Sequence, residues 1–381
     1  MTTATSTAFS AEFPVISADS HITEHPDTYL KYIDAKWRDR APKMVDGGEK
    51  GDLFVIDGMS RPIAMGLVAA AGKPAEEITE SGVRFDELHR GGWDPVARIS
   101  EQQQDGVAAE IIYPTVGMMI CNHPDFDYKK ACFDAYNRWI AEYCDTNPSR
   151  LLGCGQSAMR TPEEGIEDLQ AIKALGLRGV MMPGEPAIED YDSEVYNPLW
   201  EAAIEMNMPL SFHILTMKNA HTRGPRINTF LSIIRGNQDI MGTLIFGGVF
   251  ERYPELKIVC VEADAGWVPH YMYRMDHAYK RHRNWLAPGT HLSKLPSEYF
   301  AENIYTTFQD DWVAFRMAND MNWRRLMWAN DFPHSDSTWP WSQQMLAEHT
   351  QHLTAEQRRA ILCDNVAQLY NIDVTTLKVA A

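Results

Sequence analysis

Pro14-Val15-Ile16-Ser17-Ala18-Asp19-Ser20-His21-Ile22 is the stretch on which the fold turns. It is apolar and small at first, short enough for a single buried strand, and it ends in side chains that hold metals or protons. Side chains alternate across a strand, so Asp19 and His21, two apart, share one face of the pleat. Working outward, seven more runs have the same character, at 108–114, 151–158, 177–182, 209–215, 257–262, 303–308 and 325–329. Amphipathic stretches separate them and read as helices at 129–147, 162–174, 197–206, 229–236 and 268–283, and 355–369 reads as a closing helix. Strands that take turns with helices make a parallel sheet, and eight of them fit a closed barrel. The expected fold is α/β, a (β/α)8 barrel, forming one domain over residues 1–381.

Between the first two strands lies a polar, Gly-rich segment, 43–92, too long for a simple connection and without clear periodicity. It reads as an insertion over the active-site face. A chain of 381 residues with 45% hydrophobic side chains can bury a core of that size. Its formal net charge of −17 repels a phosphate backbone, so nucleic acid is not an expected partner. No apolar run has the length of a membrane span and residues 1–10 lack the pattern of a secretion signal, so the expected location is cytoplasmic. The six cysteines form no CxxC pair and are expected to be reduced. Neither a Gly-x-Ser-x-Gly nucleophile nor a Gly-rich nucleotide loop is present.

Chemistry concentrates at strand ends. Asp19 and His21 can bind one divalent ion without bending the strand, although Asp and His at such a place also serve as turn or cap residues. His213 ends the apolar run Pro209-Leu210-Ser211-Phe212, where a buried histidine is as readily a hydrogen-bonded core residue. Asp331 follows Trp328-Ala329-Asn330, where an aspartate can equally cap the next helix. Each falls at the carboxyl end of a predicted strand, the face on which barrel enzymes place their chemistry.

With these residues in place, the sequence resembles the amidohydrolase superfamily, in the amidohydrolase-related branch that includes aminocarboxymuconate semialdehyde decarboxylase. The resemblance covers nearly the whole chain. It rests on Asp19-Ser20-His21-Ile22-Thr23-Glu24, on His213, on the block from Gly247 to Val259 leading to Glu262-Ala263-Asp264-Ala265-Gly266-Trp267-Val268-Pro269, and on Asn330-Asp331-Phe332-Pro333-His334. It implies that His21, His213 and Asp331 match the family's ligands, with Asp19 where many relatives carry the first histidine of a His-x-His pair. Glu262 stands where the sixth strand usually supplies another histidine. No lysine lies on the fourth predicted strand, so the carboxylated lysine of dinuclear hydrolytic relatives has no counterpart.

The resulting ligand candidates are Asp19, His21, Glu24, His213, Glu262 and Asp331, more carboxylates than one ion with two histidines needs. A second ion would neutralise them, with Glu262 or Glu24 as bridge. An oxygen-rich shell with imidazole suits iron or manganese, with zinc as the alternative. Two redox-active ions activate dioxygen, so the carboxylate-rich pattern resembles the dinuclear monooxygenases of the α-aminoisobutyrate hydroxylase type and implies oxygen-dependent hydroxylation, its electrons drawn from an external reductant. The alternative is a mononuclear hydrolase or decarboxylase of a small carboxylic acid, with Asp331 as base and Glu262 as an acid–base or orienting carboxylate. A further alternative is a catalytically idle metal-binding subunit that supports a paralogue. The expected partners are a small carboxylate-bearing or amino-acid-like substrate and either an identical chain or a paralogue in an oligomer.

Other residues carry two readings each. His25 and His334 are extra ligands or proton carriers, or else support and surface residues. Arg223 and Arg226 clamp a substrate carboxylate or stand as solvated loop charges. Trp93, Trp267, Trp339 and Trp341 wall a pocket or simply pack. His123, in Asn122-His123-Pro124, faces the mouth or forms an ordinary turn.

Overall fold

The computed structural model describes residues 12–217 and 222–378. Eight parallel strands, each buried along its length, make the central sheet: β1 Ile16–His21, β2 Ala109–Tyr113, β3 Leu151–Gln156, β4 Gly179–Met182, β5 Leu210–His213, β6 Ile258–Val261, β7 Ile304–Phe308 and β8 Leu326–Trp328. They pair in chain order, β1 with β2 and so on to β8. The eight runs read from the sequence are these eight strands. Their near-continuous apolar character is what a parallel sheet needs, since barrel core covers one face and helices the other.

Closure between β8 and β1 is made by the residues beyond β8 rather than by a regular ladder. The Asp331 amide donates to the Asp19 carbonyl at 3.1 Å and the His21 amide donates to the Phe332 carbonyl at 2.7 Å. Side chains reinforce this seam: the Ser17 and Ser20 hydroxyls each donate to Asn330 Oδ1, at 3.0 and 2.9 Å. Three of the ligand candidates therefore sit where the barrel is stitched shut.

Helices cover the outside, among them Phe126–Asp145, Pro162–Ala174, Asn197–Glu205 and Val268–His282. Their starts follow local chemistry. Asp125 and Thr161 each accept a backbone amide of the first turn, and proline occupies the first turn of three of these four. The helix expected at 229–236 runs further, as Thr229–Ser232 and Ile234–Phe246. The closing helix carries a π turn, Ala360–Asp364, between two α segments.

The segment 43–92 holds a three-stranded antiparallel sheet, Lys43–Asp46, Asp52–Val55 and Ile63–Ala64, with 3-10 turns. Its strands are two to four residues long and half exposed, so no alternation betrays them. It is tied to the loops after β1 and β8: Thr23 donates to the Gly92 carbonyl, Ala71 to that of Pro333 and Ser335 to that of Leu67. Those loops lie at the carboxyl ends of the strands. After the insertion a helix that periodicity missed, Pro95–Asp105, is capped by Asp94 and stopped by Gly106 at φ +71°. Among the described residues no helix is long and apolar enough to cross a membrane.

Candidate metal centre

Alternation along β1 turns Asp19 and His21 inward together, and both are fully buried. His213 ends β5, Glu262 follows β6 and Asp331 follows β8. Glu262 and Asp331 sit at φ +56° and +52°, the left-handed region that side-chain-bearing residues rarely adopt. Such backbone persists where the surrounding structure imposes it, and here it coincides with two carboxylates that face the same point.

The nitrogens and oxygens converge closely. His21 Nε2 lies 3.2 Å from His213 Nε2, 3.5 Å from both Glu262 Oε2 and Asp331 Oδ1, and 3.6 Å from Asp19 Oδ1. His213 Nε2 is 3.1 Å from Glu262 Oε2 and 3.7 Å from Asp19 Oδ1. His334 joins from the loop after β8, its Nδ1 3.1 Å from Asp331 Oδ1 and its ring stacked on His21 with centroids 3.9 Å apart. Two overlapping groups result, Asp19–His21–His213–Glu262 and His21–Glu262–Asp331–His334, which share His21 and Glu262.

Hydrogen bonds on the far side of each ring fix its tautomer. His21 Nδ1 lies 2.9 Å from the Pro114 carbonyl and His213 Nδ1 3.1 Å from that of Ile214. A carbonyl only accepts, so each Nδ1 carries a proton and Nε2 of the neutral ring presents its lone pair to the centre; against the lowering effect of burial, Asp19 and Glu262 raise the pKa of His213. Thr115 fixes the tautomer of His334. That hydroxyl gives its one proton to the Ile22 carbonyl at 2.6 Å, so it accepts from His334 Nε2 at 2.9 Å and leaves Nδ1 unprotonated.

Burial adds to the picture. It holds His21 well below the ordinary histidine pKa, with help from the neighbouring His334 and His213, and brings His334 down to about 4. Burial also raises the carboxyls of Glu262 and Asp331 far above their usual range, reinforced by Asp331 for the first and Asp19 for the second. Five buried carboxylate oxygens, both of Asp19, both of Asp331 and Oε2 of Glu262, have no hydrogen-bond partner. Carboxyl oxygens and imidazole nitrogens crowded this closely and shielded from solvent are costly unless protons or a cation lie among them.

A divalent ion fits this set. Ligands about 2.1 Å from one ion stand about 3.0 to 3.4 Å apart at angles between octahedral and tetrahedral. The cluster's separations of 3.1 to 3.7 Å overlap that range and run slightly beyond it. Oxygen and imidazole together suit manganese, iron or zinc.

Glu24 is a correction. Expected as a ligand or bridge, it is absent from both groups, because its oxygens accept the amides of Val116 and Gly117 at 2.9 and 3.1 Å. Its pKa is nonetheless raised to about 7 by burial.

The remaining candidates are placed as follows. Arg226 is exposed and paired with Glu80 of the insertion. Arg223 is exposed, and among the described residues neither arginine makes a hydrogen bond or ion pair to the cluster. Residues 218–221, just before them, lie outside the described residues. The Trp267 indole donates to the Ala263 carbonyl at 2.7 Å and packs on Tyr271 and Phe300. Trp339 donates to the Glu101 carbonyl at 3.0 Å and packs with Phe332 and Ala71. Trp93 packs on Phe85, and Trp341 is exposed. His123 holds the Asp57 carbonyl in a turn, and His25 is half exposed against Phe85.

Two participants escaped sequence reading. Gln309, just after β7, brings a buried amide nitrogen without a partner to the side of Asp331. Arg98, fully buried, donates to the backbone of His21. A glutamine after an apolar run was a readable signal for the first; nothing local marks the second.

The profile of the amidohydrolase family matches residues 77–372. The 2-amino-3-carboxymuconate-6-semialdehyde decarboxylase of Dictyostelium discoideum is 26% identical over 269 residues, 66% of this chain and 70% of that protein. Among solved structures, an amidohydrolase from Mycobacterium avium subsp. paratuberculosis K-10 superposes with a TM-score of 0.77 at 19% identity, covering 96% of this chain and 99% of the other. A 5-carboxyvanillate decarboxylase from Novosphingobium aromaticivorans DSM 12444, complexed with manganese and 4-hydroxy-3-methoxy-5-nitrobenzoic acid, superposes with a TM-score of 0.68 at 18% identity, over 97% and 99% of the two chains. With a family match over most of its length and a buried set of ligating side chains at the mouth of its (β/α)8 barrel, the chain belongs to the amidohydrolase family and is a metalloenzyme of that superfamily.

Proposed function

We propose that this protein is a divalent-metal-dependent decarboxylase that releases CO2 from a small carboxylic acid without dioxygen or a reductant. The observation that carries the reading is the set of five unpartnered carboxylate oxygens facing two imidazole lone pairs at the barrel mouth. Asp19, His21, His213, Glu262 and Asp331 would hold the ion, manganese being favoured by the neighbour solved with it. When bound, that ion supplies a fixed positive charge that orients an anionic substrate and stabilises negative charge as it develops.

The chain's own groups supply the rest. Loss of CO2 breaks a carbon–carbon bond and leaves its electron pair on the substrate carbon, which must then take one proton. Asp331 is the donor we assign: its carboxyl is fully buried at the mouth, within reach of His334. His334 stands 3.1 Å from Asp331 with a lone pair at Nδ1, placed to exchange that proton. Gln309 offers its unpaired amide as a donor to a substrate oxygen. Glu262, 11% exposed at the side chain, orients the substrate from the carboxyl end of β6.

The relatives named above that have an assigned reaction are decarboxylases, which favours this reading over oxygen-dependent hydroxylation. One observation keeps hydroxylation as the second reading: the two ligand groups overlap at Glu262, whose two carboxylate oxygens would bridge a pair of ions, while His21, with one lone pair at Nε2, would serve only one of them. An assay separates them. Manganese-loaded protein is offered a panel of hydroxybenzoic and unsaturated semialdehyde acids under argon, and CO2 is measured. Release under argon with one ion per chain supports decarboxylation; turnover only with dioxygen and a reductant, at two ions per chain, overturns it.

A further inference from the structure

Arg98 lies on the helix Pro95–Asp105, outside every element that carries a ligand candidate, yet its side chain is fully buried behind the metal centre. Its Nη1 donates to the His21 carbonyl at 2.7 Å, and its Nη2 donates to the Phe332 carbonyl at 3.3 Å. His21 is a ligand candidate, and Phe332 directly follows another, Asp331. The same Phe332 carbonyl accepts the His21 amide, so one oxygen is held from both sides. Nε is taken by Glu110 on β2 at 2.6 Å, and Gln102 donates to the same Glu110 oxygen at 2.7 Å. The guanidinium also covers the Phe332 ring, 4.6 Å from its centroid. One planar group thus ties β2, β1 and the post-β8 loop together where the barrel lacks a regular ladder.

We infer that Arg98 is the positioning residue of the metal centre, a clamp that sets the spacing between the β1 ligands, Asp19 and His21, and the post-β8 ligand, Asp331. The inference rests on the metal-dependent reading above but concerns a residue that touches neither ion nor substrate. The chemistry requires an arginine. Reaching a carboxylate and two carbonyls at once needs the fork of a guanidinium, while a lysine ammonium, a single point of charge, can satisfy Glu110 without spanning the seam. Supporting groups of this kind set metal affinity by fixing where the ligands stand.

The test uses Mn2+ alone as probe, on full-length metal-free protein, by calorimetry and by the electron paramagnetic resonance of bound Mn2+. Arg98→Lys keeps the charge beside Glu110 and removes the span. Because a buried, half-broken pair can prevent folding, the double variant Arg98→Met with Glu110→Gln removes both charges together. Lys130→Met, which breaks the Lys130–Asp168 pair away from the centre, serves as the control for general destabilisation. At a temperature where all are folded by circular dichroism, Arg98→Lys and the double variant should bind Mn2+ about 10- to 100-fold more weakly, with an altered resonance line shape. Lys130→Met should melt earlier with affinity and line shape unchanged. Wild-type affinity and line shape in both Arg98 variants, whatever their melting points, would overturn the clamp. Failure of the wild type itself to bind Mn2+ would overturn the metal-dependent reading and the clamp with it.

Discussion

Along the seam between β1 and β8, two groups of buried polar side chains lie a few residues apart and are built on opposite terms. In the inner group, Asn330 Oδ1 accepts from Ser17 and Ser20, its amide donates to Asp105 at 3.1 Å, and Asp105 also takes the hydroxyl of Ser342 at 2.6 Å. At the mouth, Asp19 and Asp331 have no partner for either oxygen. The first group satisfies itself and so reads as structure. The second is complete only with something the chain does not contain, and so reads as function.

The widest separation of the two should come from removing a mouth ligand. Asp331→Ala should lower Mn2+ affinity by about a thousandfold and abolish turnover while the apo-protein stays folded, since a charged hydrogen-bonded or coordinating group is lost from a desolvated site. Calorimetric titration beside circular dichroism checks both halves. Folding failure without metal loss would place Asp331 with the inner group.

Stability of the metal-free chain sharpens the contrast by its sign. Asn330→Ala takes an acceptor from two buried seryl hydroxyls and a donor from Asp105, so it should cost about 2 to 4 kcal/mol in urea unfolding. Glu262→Gln should do the reverse. The raised pKa of Glu262 means that its favourable contribution is present below the ordinary carboxyl range and lost as pH rises. The metal-free variant should therefore gain stability over wild type on going from pH 5 to pH 8, and Mn2+ should remove the gain.

Glu24 gives a third measure, because it is buried like the mouth acids but hydrogen-bonded like the inner ones. Its pKa rises from 4.5 to about 7 in the fold. Its contribution is full below pH 4.5 and is lost as pH climbs through 7, a change of about 3 kcal/mol. The stability difference between Glu24→Gln and wild type should shift in favour of the variant across that window, whatever its starting value. The smallest effect belongs to the surface: Glu80→Gln breaks an exposed pair with Arg226 and should leave Mn2+ affinity unchanged within error.

How much of this was readable in the sequence depended on the range of the interaction. All eight barrel strands were legible because each is a short apolar run stopped by polar residues, and the convergence of Asp19, His21, His213, Glu262 and Asp331 at one mouth was legible because each lies at or next to such a stop. The small sheet of 43–92 was not, since its strands are too short and too exposed to show a period. Glu24 was misread because spacing places a residue near a strand end but does not say where its carboxylate turns; the amides that claim it lie 92 and 93 residues further along the chain. Arg98 was invisible for the same reason, joining Gly91, His21 and Phe332 across up to 234 positions. The hydroxylation reading came from counting carboxylates, and the count alone does not say how many ions share them.

The most direct test of the metal centre is diffraction from crystals grown with Mn2+, collected at the manganese absorption edge. The geometry described here predicts an anomalous peak between His21 and His213, about 2.0 to 2.4 Å from both Nε2 atoms and from carboxylate oxygens of the same cluster. A peak only elsewhere on the molecule, or none at saturating Mn2+, would contradict it.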